Sequence, residues 1–206
     1  MSGQGAPQLK VSGAGVKVFV ISTSWHTQIM DGLTSGAKAE LERSGATDVT
    51  YWEIPGAFEL PLAAQKAIDL GAEAVIALGV VIQGETPHFD YVCNAATDGL
   101  TRVQLDSGVP IGFGLLTVNN EAEALARAGL EGSKEDKGAE AVQAALTMVK
   151  LAQTGCAILM ISSDMEELLG MSHRIAVMCE GHLTGTLEPD QFSEEAIMRL
   201  AVERGG

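Results

Sequence analysis

The spacing of apolar positions changes repeatedly along the chain up to residue 152. Compact runs of strand-like composition predict strands at residues 16–22, 48–54, 74–82 and 110–117. Between the first two runs, apolar side chains recur at every fourth position, which predicts an amphipathic helix over residues 25–43. Further helices are predicted at residues 59–70 (ending at a C-cap glycine, Gly71), 88–105, 121–128 and 136–152. Four strand–helix repeats predict an α/β protein, with a doubly wound four-stranded parallel sheet covered by helices on both faces.

Residues 153–206 depart from this pattern and predict a small β/α appendage. Strands are expected at residues 157–162 and 174–178, with a helical segment at 164–170 between them. A turn is expected at Gly181 and His182, and a last helix at residues 193–202 with Ser193 as its N-cap. Together with a glycine-rich amino-terminal arm at residues 1–15, this divides the chain into an arm, a main domain at 16–152 and an appended segment at 153–206.

The net charge of −14 argues against nucleic acid or an anionic membrane as the main partner, so a bound phosphate would need a few locally placed donors. Cys93, Cys156 and Cys179 form no CxxC pair, which favours reduced thiols over a zinc site or disulfides. The start of the chain lacks a signal-sequence pattern, and no apolar run reaches the ~18 residues of a membrane span. A cytoplasmic location is therefore expected.

Ligands of open parallel sheets bind beyond the carboxyl ends of the strands. The loops predicted at this rim are residues 23–27, 55–59, 83–88 and 117–121. Trp25 and Phe58 fall in the first two loops, although aromatic residues make up only 4% of the chain. A flat heterocycle with a polar tail would fit such a lining. The alternative is that both rings cap the core at helix starts.

The third loop predicts an anion site. Thr86 is a good N-cap and Pro87 a good first helical residue, and the N–H groups of a helix start suit a phosphate. His88 would lie in the first turn, where the positive end of the helix dipole disfavours an imidazolium and leaves the ring able to accept a proton. The alternative is a surface histidine, and it is stronger for His26. Arg127, Lys134 and Lys137 are candidate phosphate cations, although isolated basic residues in charged loops are usually solvated.

Three motifs resemble the lumazine synthase family. They are Pro-Gly-Ala-Phe-Glu-Leu-Pro at residues 55–61, the run Ala-Leu-Gly-Val-Val-Ile-Gln-Gly-Glu-Thr-Pro-His-Phe-Asp-Tyr-Val at residues 77–92, and Arg-Ala-Gly at 127–129 with Asp-Lys-Gly at 136–138. Their order and spacing fit the predicted scaffold, and the resemblance covers about residues 12–152. It implies a flavodoxin-like fold.

The resemblance implies that 5-amino-6-(D-ribitylamino)uracil and 3,4-dihydroxy-2-butanone 4-phosphate condense to 6,7-dimethyl-8-ribityllumazine, phosphate and water. The reaction passes through a Schiff base and needs no cofactor. The residues whose positions imply contact with the pyrimidine or its ribityl chain are Trp25, Ala57, Phe58, Glu59, Val80, Val81 and Ile82. The phosphate would contact Glu85, Thr86 and Arg127, His88 would transfer protons, and Phe113 would reach a neighbouring subunit's site.

Two further expectations concern assembly and the appended segment. Members that close into sixty-subunit shells have a shorter loop than residues 130–136, so a free pentamer is expected. Residues 157–178 resemble the end of a sugar-importer ABC ATPase, but the chain has no phosphate-binding G-x-x-x-x-G-K-[ST] motif. A natural fusion, a frameshift product and an engineered chimera remain open for this segment.

Other functions compatible with the predicted sheet are a flavodoxin-like flavin- or phosphate-binding protein without catalysis, a receiver domain and a transporter subunit. The first would need a glycine that lets the loop after the first strand wrap a phosphate, and the second an acidic cluster in that loop. Residues 22–24 (Ser-Thr-Ser) provide neither. The third would require nucleotide binding through the appended segment, which is not expected.

Overall fold

A parallel sheet organises the amino-terminal unit of the chain. The computed structural model describes residues 11–153, 169, 172, 174–179 and 181–202, and the chain divides into two units, Met1–Cys156 and Ala157–Gly206. The four strands pair in the order β2-β1-β3-β4. Their bounds are Lys17–Thr23 for β1, Asp48–Ile54 for β2, Ala74–Ile82 for β3 and Ile111–Val118 for β4. The four predicted strands and their parallel pairing are confirmed.

Five helices accompany this sheet in the described residues. They are α1 (Thr27–Ser44), α2 (Leu60–Asp69), α3 (His88–Ser107), α4 (Glu121–Leu125) and α5 (Lys137–Gln153). The side chains of β1 alternate between two cores: Val18 and Val20 pack with α1 and α5, whereas Phe19 and Ile21 pack with α2 and α3. This period-two alternation places helices on both faces of the sheet, as the sequence predicted.

Several predicted boundaries need correction. The helix expected from residue 25 begins at Thr27, and the helix expected from residue 59 begins at Leu60 after a 3-10 turn at Ala57–Glu59. The helix expected to reach residue 128 ends at Leu125. Its next carbonyl, that of Ala126, accepts hydrogen bonds from the backbone N–H groups of Lys134 and Glu135, so the loop replaces another helical turn. The helix expected to end at residue 70 ends at Asp69 with Leu70 as its C-cap. Gly71, the predicted C-cap, follows in the left-handed conformation, with a φ of 88° and its N–H donating to the Ile68 carbonyl.

The carboxyl-terminal unit contains an antiparallel hairpin and a helix. The strands are β5 (Ile175–Cys179) and β6 (His182–Leu187), and the helix is α6 (Glu194–Val202). Ser193 accepts a hydrogen bond from the backbone N–H of Ala196, which confirms the predicted N-cap. Strand β6 was not predicted from the sequence, where His182 was assigned to a turn. The elements expected at residues 157–162 and 164–170 lie outside the described residues, apart from Leu169, which is helical.

None of the helices in the described part of the chain combines the length and apolar character that a bilayer crossing requires.

The start of α5 contains a half-buried carboxylate. Asp136 Oδ1 accepts a hydrogen bond of 2.9 Å from the backbone N–H of Ala139 and so caps the helix. Its side chain occupies space left by two glycines: a Cβ on Gly36 or Gly129 would collide with the Asp136 carboxyl group. Burial raises the pKa of Asp136, and the charges of Glu140 and Glu40 act in the same direction, while the hydrogen bonds from Ala139 and Gly138 oppose the shift.

We expect the substitution Asp136→Asn to stabilise the protein increasingly as pH rises above the ordinary aspartate pKa of 3.8. Because the pKa is raised in the folded state, the native protein binds more protons than the unfolded chain, so the wild type loses stability as pH increases from that value to the raised pKa. Asparagine keeps the cap without the charge. The check is the free energy of unfolding of both proteins at a series of pH values. A difference that stays constant with pH would contradict the assignment. The free energy of unfolding of Asp136→Ala should be about 1 kcal/mol below that of Asp136→Asn, because alanine lacks the cap.

Candidate active site

The loops that follow the four strands lie at one edge of the sheet, as predicted. The strand ends are in register: Thr23 of β1 pairs with Ile54 of β2, and Ile82 of β3 pairs with Val118 of β4. Backbone bonds extend this order beyond the strands, because the Gln83 N–H donates to the Val118 carbonyl over 2.9 Å. The loops of all four strands therefore form one rim.

Trp25 and Phe58 are both on the surface at this rim. Trp25 is 68% exposed and Phe58 63% exposed, so neither ring caps the core within this chain. Phe58 belongs to the 3-10 turn, whose first residue, Ala57, is buried in the core beneath α2 and α3. Glu59 closes the turn, with its carboxylate over the backbone of Gly56: a Cβ on that glycine would lie 3.2 Å from Glu59 Oε2. The first two loops thus present two aromatic rings and one exposed carboxylate.

The end of β3 lies between the other strands and is partly covered. Val80 is buried, whereas Val81 and Ile82 are half-buried. Gly79 allows the side chains of the two neighbouring strands to approach closely. A Cβ at this position would lie 2.8 Å from Leu115 of β4 and 3.2 Å from Thr23 of β1. This strand end offers backbone and apolar side chains at the middle of the rim.

The loop from β3 to α3 corrects the predicted helix cap. The N-cap is Pro87, with φ −63° and no side-chain hydrogen bond, and α3 begins at His88. The prediction that Thr86 caps the helix and Pro87 is its first residue is therefore wrong. The ring of proline fixes φ at a value that also fits the cap position. The Pro87 carbonyl accepts the first hydrogen bond of the helix, from the backbone N–H of Asp90. Glu85, Thr86 and His88 are exposed.

Arg127 is fixed by backbone and carboxylate contacts. Its Nη1 donates to the Glu123 carbonyl over 2.8 Å, and its Nε lies 3.9 Å from Glu135 Oε2. Glu135 also pairs with Lys137 at 3.1 Å, and Lys137 pairs with Glu140 at 2.6 Å. Burial by itself would lower the pKa of Lys137, but its hydrogen bonds to these two carboxylates outweigh that effect and raise it. Lys137 is therefore ion-paired. The sequence had instead suggested a solvated residue.

A cavity of about 310 Å³ lies beside Arg127. Its lining is partly polar and consists of Ala122, Glu123, Ala126, Arg127, Lys134 and Glu135. Hydrogen bonds from the backbone and side chain of Asn119 lower the pKa of Glu123, which keeps that residue ionised. The sequence analysis missed the contacts of Glu123 with Asn119 and Asn120. A signal was present, because an asparagine three positions before a glutamate is typical of a helix cap. In the structure the Asn120 side chain accepts a hydrogen bond from the Glu123 N–H.

Phe113 is not at the rim of its own chain. It lies in the middle of β4, opposite Ala77, and is 47% exposed. The last residue of the strand, Val118, is five positions further along, which corresponds to about 16 Å along the sheet. In a single chain, Phe113 therefore lies away from the strand ends where the rim loops begin.

Cysteine chemistry and metal binding find little support in the described residues. Burial, with a smaller effect of the Asp90 charge, raises the pKa of the Cys93 thiol, which makes it a poor nucleophile at neutral pH. No group of three or more His, Cys, Asp or Glu side chains within the described ranges is arranged to hold a metal ion.

Comparison with known proteins identifies the family to which the sheet and its rim loops belong. The family model for 6,7-dimethyl-8-ribityllumazine synthase matches residues 15–153. A protein of that name from Kineococcus radiotolerans is 62% identical over 149 residues, which cover 72% of this chain and 92% of the relative. Counterparts of the same name from Leifsonia xyli subsp. xyli and Streptomyces avermitilis are 54% and 53% identical, with 71% of this chain and 93% and 91% of the relatives covered.

These matches span the sheet, its helices and the four rim loops, and they do not favour a flavodoxin-like binding protein. Through residues 15–153, the chain belongs to the 6,7-dimethyl-8-ribityllumazine synthase family.

Proposed function

We propose that residues 15–153 form an enzyme of riboflavin biosynthesis that condenses 5-amino-6-(D-ribitylamino)uracil with 3,4-dihydroxy-2-butanone 4-phosphate. The products are 6,7-dimethyl-8-ribityllumazine, phosphate and water. The observation that carries this proposal is the family match over the whole sheet and rim. The rim supports it, because exposed aromatic rings suit a flat pyrimidine, and Arg127 provides a cation that is fixed in position by its contacts with Glu123 and Glu135.

In this proposal the first three loops bind the pyrimidine. Trp25 stacks on the ring, the 3-10 turn of Ala57, Phe58 and Glu59 holds the ribityl chain, and the strand end of Val80, Val81 and Ile82 contacts the uracil edge. The exposure of Trp25 supports stacking, since a free indole face is needed. The exposed Glu59 carboxylate is a suitable acceptor for ribityl hydroxyls.

The sugar phosphate is proposed to lie between the loop of Glu85 and Thr86 and the side chain of Arg127. The amine of the uracil attacks the ketone and water leaves as the Schiff base forms. A proton is then removed and phosphate departs, which leaves an enol that tautomerises to a ketone. The ribityl-bearing nitrogen attacks this ketone, and a second water leaves as the ring closes. His88 at the first position of α3 is the proposed proton-transfer residue. Because two bound substrates react, holding them together contributes much of the rate.

Catalysis is tested by mixing both substrates with the protein. We expect lumazine absorbance to appear together with released phosphate, since the proposed steps form both products from one intermediate. Controls omit either substrate or the protein. Absence of both signals from folded protein would overturn the proposed function.

Arg127→Ala should lower kcat/KM about 10²–10³-fold, because it removes the fixed cation proposed for the phosphate. His88→Ala should cause a smaller loss, about 10²-fold or less, since proximity of the substrates still operates without a proton-transfer group. The matched control is Arg199→Ala, which removes an exposed arginine of α6, outside the residues that match the family. Unchanged turnover in Arg127→Ala would refute the phosphate assignment.

We propose in addition that the enzyme is a cytoplasmic homopentamer in which Phe113 completes the site of a neighbouring subunit. The position of Phe113, half-exposed in mid-strand and away from its own rim, supports this role. So does the exposed surface of α3, where only Ala96 and Leu100 of 20 residues are buried. On this helix Tyr91 is 74% exposed and Leu105 is 53% exposed, and exposed large side chains of this kind favour association.

We expect a mass near five chains in solution, because the loop at residues 130–136 is longer than in members that form shells. Light scattering coupled to size exclusion measures it. A mass near sixty chains, or near one, would contradict the proposed pentamer.

For the carboxyl-terminal unit we propose an origin in the end of a sugar-importer ABC ATPase. The resemblance of residues 157–178 supports it, and the family match that ends at residue 153 leaves this segment outside the enzyme. Without a phosphate-binding motif anywhere in the sequence, the unit is proposed to have no nucleotide-dependent activity.

A further inference from the structure

The turn from β1 to α1 contains an unusual backbone conformation. Among the non-glycine residues that the structure describes, His26 is the one with a positive φ, at φ 61° and ψ 61°. It directly follows Trp25 and is the N-cap of α1, yet its side chain makes no capping hydrogen bond. The left-handed region costs an ordinary L-residue roughly 1–2 kcal/mol. Asparagine, aspartate and histidine enter this region more readily, and glycine most readily.

Both neighbours of Trp25 are fixed by hydrogen bonds. On one side, the backbone N–H and the hydroxyl of Ser24 both donate to the Ile54 carbonyl, over 3.0 and 2.8 Å. On the other side, the His26 carbonyl accepts the N–H groups of Ile29 and Met30 over 2.9 and 3.0 Å. The chain therefore passes through Trp25 between an anchor on β2 and the first turn of α1.

The packing of α1 maintains the left-handed residue. Ile29 and Met30 are 1% and 5% exposed and belong to the core between the sheet and α1. The Met30 sulfur also lies 3.6 Å from the Thr23 hydroxyl at the end of β1. Buried contacts hold both β1 and α1 in place. The chain must therefore change direction within residues 24–26, and the positive φ of His26 provides this change. The result is an indole that is 68% exposed at the rim.

We propose that His26 is a positioning residue whose left-handed backbone, and not its imidazole, sets the orientation of the Trp25 indole for stacking on the pyrimidine. This inference rests on the proposed function. A residue that avoids the left-handed region reduces the fraction of chains with Trp25 in the binding orientation, and the apparent affinity for the pyrimidine falls by that fraction. The sugar phosphate does not depend on this turn.

The test compares four substitutions at one position: His26→Val, His26→Ala, His26→Asn and His26→Gly. The matched control is Gln28→Val, a change in the exposed first turn of α1, where the backbone is right-handed. For each protein, kcat, both KM values and the melting temperature are measured. Binding of the ribityl-aminouracil alone is measured by the quenching of Trp25 fluorescence. The Trp25→Phe variant gives the background signal of the second tryptophan, Trp52, which packs edge-on against Phe19 with a ring-centroid distance of 5.0 Å.

We expect His26→Val to raise the KM for the pyrimidine about tenfold with kcat nearly unchanged, and His26→Ala to lie between it and the wild type. His26→Asn, His26→Gly and Gln28→Val should keep both KM values within about twofold. Equal losses in all four His26 variants would overturn the proposal by assigning the effect to the imidazole. A wild-type KM in folded His26→Val and His26→Ala would overturn it as well. Wild-type protein that makes no lumazine would instead refute the proposed function.

Discussion

Parallel pairing of four strands is the constraint on which the site depends. Because β1, β2, β3 and β4 run in one direction, every loop after a strand leaves the sheet at the same edge. Trp25, Phe58 and His88 are far apart in sequence and share that edge for this reason. The strands hold their register through two cores, one on each face, so the rim rests on a rigid base while its aromatic side chains remain exposed.

The charges around Arg127, at the proposed phosphate site, are arranged locally. The chain has a net charge of −14, yet Arg127 and Lys137 are held close to one carboxylate, Glu135, which fixes both cations in place. The backbone of α4 adds a second support, through the Glu123 carbonyl. A cation already ordered by the protein loses less conformational entropy when it binds an anion. The proposed phosphate site therefore depends on individual fixed cations and not on a basic surface.

The candidate site was predictable to the extent that it depends on order along the chain. Trp25 at the end of β1 and His88 at the start of α3 follow from where the strands end, and the family motifs name the same residues. The capping of α3 was mispredicted, because Thr86 and Pro87 both suit a helix start and local preference cannot choose between adjacent registers. The ion pairs of Lys137 could not be read from its charged loop, since they depend on how that loop folds back against α4 and α5.

The sequence by itself determined the α/β class and the parallel sheet, because strand-like runs and a helical repeat of apolar positions reflect burial that any sheet of this order requires. The family of residues 15–153 follows from three separated motifs, which are read from the sequence directly. Tertiary structure decided the rest. The left-handed turn at His26 arises where a buried strand and a buried helix must be joined in three residues, and the half-buried Asp136 fits only where Gly36 and Gly129 leave space. Both features depend on the distance between packed elements, a quantity that local sequence preferences do not contain.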